Sequence, residues 1–181
     1  VHDAEAATPA IRARGLSVKR QPVSLPVDWH GLGDAAFRED DSEANGSSLA
    51  LLLEAGGKAA LMTGDAYPSV VAAAWRRLVR ARGAAPRLQL LKLSHHGSST
   101  NTSPALFGLL RPEKLLVSTD GSAYGHPHAE TLAWSVRQLG PAEWIFNVAS
   151  EYSSAWELAA KTAPAVVKVV TGTKHGVRVA L

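Results

Sequence analysis

The chain has 181 residues, of which 46% are hydrophobic and 19% charged, the profile of one globular domain with a core large enough to need no covalent staples. It carries a formal net charge of +3 and no cysteine, which excludes disulfides and thiolate-bound zinc and leaves His, Asp and Glu as candidate metal ligands. No apolar stretch approaches the roughly 20 residues of a membrane helix, and Val1 to Glu5 lack the pattern of a signal peptide. The expected location is therefore soluble, with the cytoplasm favoured, and the missing initiator Met points to a processed or trimmed product.

Ile11 to Val18 and Gln21 to Val27 are each expected as short strands, the second punctuated by Pro22 and Pro26 in the manner of an edge. Residues 31 to 45, rich in Asp and Glu, read as a surface loop. Ser48 to Glu54 and Ala59 to Met62 are expected to pair as a hairpin around Gly56-Gly57. Pro68 opens a helix with Val71, Trp75, Leu78 and Val79 on one face, which Gly83 closes. Arg76, Arg77, Arg80, Arg82 and Arg87 form a basic band there, either a solvated helix face or a contact for a phosphate backbone.

Leu88 to Leu93 is the next strand. Ser103 and Pro104 then start a short helix over Ala105 to Leu110. Lys114 to Ser118 is a strand, Ala129 to Leu139 a helix, and Trp144 to Val148 a further strand. Val166 to Thr171 and Gly176 to Leu181 read as a terminal hairpin. This order predicts an α/β fold, a mixed sheet with helices covering one face.

The chemistry-bearing residues cluster just after apolar runs. Leu61-Met-Thr-Gly-Asp65, Leu93-Ser-His95-His96-Gly-Ser98 and Tyr124-Gly-His126-Pro-His128 each follow a strand. If those strands run parallel, a carboxylate and several imidazoles share one sheet edge, where open α/β sheets place their chemistry. Asp65 can bridge two cations, or it can cap the turn before Pro68. His95 and His96, on a continuing strand, would face opposite ways, one entering the site and the other supporting it. His126, between glycine and proline, is a ligand candidate, while His128 suits the start of the following helix. Asn45 and Ser48 can reach the same cleft, and Ser98 or Ser99 can hydrogen-bond within it. His2, His30 and His175 have no supporting pattern. There is no phosphate-binding glycine loop, dinucleotide fingerprint or Gly-x-Ser-x-Gly elbow.

Asn45-Gly-Ser-Ser-Leu, Leu61-Met-Thr-Gly-Asp65, Leu91-Lys-Leu-Ser-His95-His96-Gly-Ser and Tyr124-Gly-His126-Pro together resemble the metallo-β-lactamase fold. The likeness is to the branch typified by the extracellular domain of the ComEC DNA-uptake channel and by phosphorylcholine esterases. It implies a binuclear metal hydrolase, a phosphodiesterase or nuclease, with two zinc ions or manganese in their place and a metal-bound hydroxide as nucleophile. By that resemblance the metal ligands are Asp65 as the bridging carboxylate, His95 or His96 on one ion, and His126 on the other or as a substrate-facing histidine at the rim, with Asp65, His96 and His126 carrying the catalysis.

The family's amino-terminal His-x-His-x-Asp-His signature, or its His-x-Asp-x-Asp-His form, has no counterpart here. The chain is therefore expected to be the carboxy-terminal half of a four-layer αββα sandwich. Residues 1–44 would be an irregular or edge-strand segment and residues 45–181 the half-domain. Its expected partner is the amino-terminal half, as a separate or cleaved chain, with nucleic acid as a candidate substrate partner. The competing expectations are a non-catalytic binding or regulatory module, a small-ester hydrolase and, on weaker grounds, a β-lactamase proper.

Overall fold

The computed structural model describes residues 23–181. The expected strand over Ile11 to Val18, together with His2, lies outside that range. Of the other early strand, the described part Val23 to Val27 is irregular, and residues 28 to 46 hold two short helices, α1 (Trp29–Gly33) and α2 (Glu43–Gly46). Asp28 caps α1 by accepting from the Gly31 N–H at 2.9 Å. Loop-like composition there hid Trp29, a buried residue of the main core.

From Leu51 the order becomes regular. The strands are β1 (Leu51–Ala55), β2 (Lys58–Met62), β3 (Leu88–Lys92), β4 (Lys114–Val117), β5 (Ala142–Phe146) and β6 (Val167–Thr171). They lie side by side in chain order in one sheet. β1 and β2 form the antiparallel hairpin, and each later neighbour is parallel. Gly56 and Gly57, at φ 56° and 75°, supply the two left-handed positions that a tight two-residue hairpin turn demands. Between the strands stand α3 (Pro68–Arg82), α4 (Pro104–Leu110), α5 (Ala129–Leu139) and α6 (Glu151–Ala160). The fold is a mixed α/β sheet layered with helices, generally consistent with an αββα-type arrangement.

Strand alternation divides the interior in two. Ala59, Leu61, Leu115, Val117, Trp144 and Phe146 join the main core with Trp75, Phe107, Leu132 and Trp156 from the helices. Ala60, Leu90 and Ile145 form a second cluster with Met62, Leu116 and Val170, and Val177 and Val179 pack against it. The register shifts between Ala59 and Ala60, where Gln89 is left over opposite them. The Gln89 side chain fills the gap by accepting from the Ala59 N–H at 2.6 Å.

Two expectations near the carboxy terminus are corrected. α6 was not anticipated, and its start carries a reciprocal cap in which Ser150 and Ser153 satisfy each other's backbone N–H. The terminal hairpin is absent: β6 pairs parallel with β5, and only Thr173 and Gly176 pair beyond it. The segment after Gly176 instead returns toward the second cluster, where Lys58 and Lys114 donate to the carbonyls of Leu181 and Ala180. Val177 and Val179 face apolar neighbours that a two-stranded ribbon would leave in water.

Trp29, Trp144 and Trp156 meet with ring centroids 5.9–6.4 Å apart, and Trp144 is fully buried. Trp144→Ala is expected to cost about 3–5 kcal/mol of unfolding free energy, read as a lower midpoint in urea denaturation.

Candidate functional site

Because β2, β3 and β4 are parallel, the residues that follow them emerge at one edge. The segment after β2 holds Thr63, Gly64 and Asp65. The Thr63 hydroxyl donates to the Lys92 carbonyl at 2.7 Å, tying β2 to β3 at their ends. Gly64 has φ 57°, and a Cβ there would lie 3.1 Å from the Leu49 carbonyl oxygen, so only glycine passes without strain. The Asp65 N–H donates to Ser48 Oγ at 3.2 Å, which brings Ser48 into the cleft as expected.

His95 and His96 do not continue the strand. β3 ends at Lys92, and Ser94–Gly97 forms a short 3₁₀ turn in which His95 and His96 adopt φ 44° and 59°. The opposed orientation expected of adjacent strand residues is thereby corrected. Both rings approach His126, at centroid distances of 5.2 and 6.3 Å, and lie 6.0 Å from each other. Left-handed backbone at two successive non-glycine residues costs about 1–2 kcal/mol each, a strain that functional loops commonly retain.

The loops are stitched together through the backbone. The His95 N–H donates to the Gly64 carbonyl at 2.9 Å, and the His128 N–H to the Gly97 carbonyl at 3.0 Å. Gly97, at φ 90°, lies so close to Pro127 that an added Cβ would sit 2.7 Å from the proline Cβ. His126 is buried, and the exposed Tyr124 ring stacks on it at 5.9 Å.

Hydrogen bonds define how two imidazoles are presented. His96 Nδ1 lies 2.6 Å from the Ser118 carbonyl oxygen, which can only accept, so Nδ1 carries the proton and Nε2 keeps its lone pair. His128 is the reverse: its Nδ1 accepts from the Ser99 N–H at 3.1 Å, leaving the proton on Nε2. The Ser99 hydroxyl is also within 2.9 Å of that nitrogen. His128 occupies the N-cap position of α5, at the helix start expected for it, and its imidazole makes no cap hydrogen bond there. His30 lies on α1 beside a cavity of about 330 Å³, and His175 is exposed in the terminal turn.

Asn45 was expected near the cleft, and its Nδ2 is 3.3 Å from His95 Nδ1. Three participants were missed. Lys92 is half-buried at the end of β3 with its ammonium near the Gly64 carbonyl; burial lowers its pKa, and the nearby Asp65 carboxylate opposes that shift. A lysine within the run Leu90-Leu91-Lys92-Leu93 was the available signal. The fully buried Asn101 adjoins His95 and is held by Asp40, with no motif to mark either.

The donor types suit zinc or manganese, with imidazole nitrogens and a carboxylate. Among the described residues, however, no three His, Asp or Glu side chains form a group able to hold one ion.

Gly97→Ala is expected to displace the His126 loop and to destabilise the chain by about 1–3 kcal/mol through overpacking, besides the left-handed strain. Denaturation midpoints together with shifts in the His95 and His126 ring resonances check this.

No family model matches the chain, and no solved structure matches it. The chain is 33% identical over 103 residues to the competence protein ComA of Neisseria gonorrhoeae, a match covering 55% of this chain and 14% of that protein. It is 29% identical over 140 residues to ComE operon protein 3 of Bacillus subtilis (strain 168), covering 68% of this chain and 16% of that protein. The matched part is thus about a seventh of the length of the first curated relative and a sixth of the second, and the similarity to these competence proteins is distant.

Proposed function

We propose that the chain is the carboxy-terminal half of a metallo-β-lactamase-type hydrolase that cleaves phosphodiesters. The observation that carries this reading is the convergence of His95, His96 and His126 at the strand edge that also bears Asp65. The distant similarity to competence proteins supports it.

Asp65, His126 and one or both of His95 and His96 would hold part of a two-ion zinc or manganese centre. The amino-terminal half would complete it with the ligands that the described residues lack. The ions, when bound, supply Lewis-acid polarisation of the phosphoryl oxygens. The chain's own contribution is placement. The Ser118 carbonyl fixes the His96 tautomer, the Gly64 carbonyl fixes the His95 backbone, and Lys92 puts a positive charge beside Asp65.

The second face of the sheet supports a missing half. Leu51 and Leu53 pair with Met62 and Ala60 and so stand on the face of the second cluster, yet they are 56% and 52% exposed. Apolar side chains in a row on one sheet face suit a covering layer.

The arginine band bears on substrate size. α3 starts three residues after Asp65, and Arg76 to Arg82 follow at roughly 12–21 Å along its axis from Pro68, at 1.5 Å per residue. Arg82 is paired with Glu54 and Arg87 with Glu113. The band is therefore remote from the cleft, and a nucleic acid would have to span both, whereas a small phosphodiester would need only the cleft.

A second reading, a non-catalytic binding module, is favoured by the lack of a closed ligand group among the described residues. Elemental analysis of the complete assembly separates the two. One or two zinc or manganese ions per assembly are expected under the hydrolase reading, and none under the other.

In that assembly, Asp65→Ala is expected to abolish turnover and strip the metal, and His126→Ala to reduce both severely. Turnover of a small phosphodiester beside metal content checks this, and near-normal values for Asp65→Ala would end the binuclear reading. Replacing Arg76, Arg77 and Arg80 with Glu is expected to leave small-substrate turnover unchanged. If nucleic acid is the substrate, that triple change should weaken DNA binding and flatten its salt dependence by up to about one log unit per lost phosphate contact, measured by titration at several salt concentrations.

A further inference from the structure

We infer that Asp40 is a positioning residue for His95, acting through the side-chain amide of Asn101 to hold the ring in the tautomer that presents Nε2 to the cleft. The purpose of that tautomer rests on the hydrolase reading above, whereas the arrangement itself does not.

Asp40 Oδ2 accepts from Asn45 Nδ2 at 2.6 Å and from Asn101 Nδ2 at 2.9 Å, while Oδ1 accepts from the Ser42 N–H at 3.1 Å. The Asp40 N–H donates to the Thr100 carbonyl at 3.0 Å, anchoring the residue's backbone to the loop it serves. Asn101 Nδ2 also donates to the Asp65 carbonyl at 3.0 Å. With two acceptors around its nitrogen, the Asn101 amide has one orientation, and Oδ1 is the atom turned to His95. His95 Nδ1 is 3.1 Å from that oxygen.

Asn45 Nδ2 gives one N–H to Asp40 at 2.6 Å, and its second N–H, 3.3 Å from the ring nitrogen, is the more distant competitor of Asn101 Oδ1. The proton therefore belongs on His95 Nδ1, donated to Asn101, and Nε2 keeps its lone pair. That is the presentation the Ser118 carbonyl gives to His96.

The carboxylate is suited to the role. Burial acts to raise its pKa, but hydrogen bonds from Asn45, Asn101 and the Ser42 N–H prevail and leave it below the ordinary value of 3.8. It is thus an anion throughout the neutral range. Without it the two amides lose their common acceptor, and Asn101 can rotate its nitrogen toward the ring.

The test is a two-bond ¹H–¹⁵N correlation spectrum of the histidine side chains in the 181-residue chain, recorded without metal at a pH where the imidazoles are neutral. The wild-type chain is expected to show His95 with a protonated Nδ1 and a bare Nε2. Asp40→Ala should lose this single tautomer, whereas Asp40→Asn, which can still turn one oxygen to both amides, should retain it. Asp41→Ala, at the exposed neighbour, should match wild type.

Zn²⁺ affinity of the complete assembly should fall about 10- to 100-fold in Asp40→Ala, the usual effect of removing a group that orients a ligand. A protonated Nε2 in the wild-type chain, or an unchanged tautomer in Asp40→Ala, overturns the proposal. Should Asp40→Ala fail to fold, the wild-type spectrum and Asn101→Leu, expected to lose the tautomer, still decide. An assembly that binds no Zn²⁺ while His95 keeps its protonated Nδ1 would remove the hydrolase reading and leave the positioning role standing.

Discussion

The parallel pairing of β2, β3 and β4 is the constraint on which the candidate site depends. Parallel strands deliver their following loops to one side, and three separate loops are needed to gather Asp65, His95, His96 and His126. The hydrogen bonds from His95 to Gly64 and from His128 to Gly97 then fasten each loop to its neighbour. The placement of the loops is thus set by main-chain contacts, while the Asn101 side chain and the Ser118 carbonyl orient the rings they carry. Gly64 and Gly97 are the points of closest approach, and their missing side chains allow the stitching.

Much of this was legible in the chain. The short apolar runs ending in Gly-Asp and His-His-Gly located strand ends, and Pro68, Gly83, Ser103 and Pro104 marked helix boundaries that the fold reproduces to within a residue. What was not legible has physical reasons. The Ser150 cap lacked the usual Glu or Gln at its third helical position, because Ser153 fills that role with a hydroxyl. Trp29 sits amid polar, loop-like residues, and only tertiary packing against Trp144 and Trp156 makes it core. Val177 and Val179 alternate as residues of a strand would, but periodicity does not say whether their face meets a neighbouring strand or the flat of a sheet. Asp40 and Asn101 are 61 residues apart, and nothing local signals that their side chains share a hydrogen bond.

The two faces of the sheet are unequally supported. The main core gathers all five tryptophans and the helices, whereas the second cluster rests on three small or medium buried side chains and a returning carboxy-terminal segment. Lys58 and Lys114 hold that segment by its carbonyls, a polar attachment at the rim of an apolar surface. Cohesion on this face is therefore modest, and the exposed Leu51 and Leu53 leave apolar area there for a covering layer.

The left-handed backbone at His95 and His96 has a consequence for how this loop can vary. Among residues with a side chain, Asn, Asp and His enter that region most readily, while β-branched residues are nearly barred from it. Drift at these positions is therefore channelled: a lineage that abandoned the imidazole chemistry would pass most easily through asparagine, aspartate or glycine, keeping the turn while losing the ring. Alanine, the customary neutral probe, is not neutral here, because it deletes the ring and strains the backbone at once. Asparagine is the replacement that separates the chemistry of these two residues from their conformation.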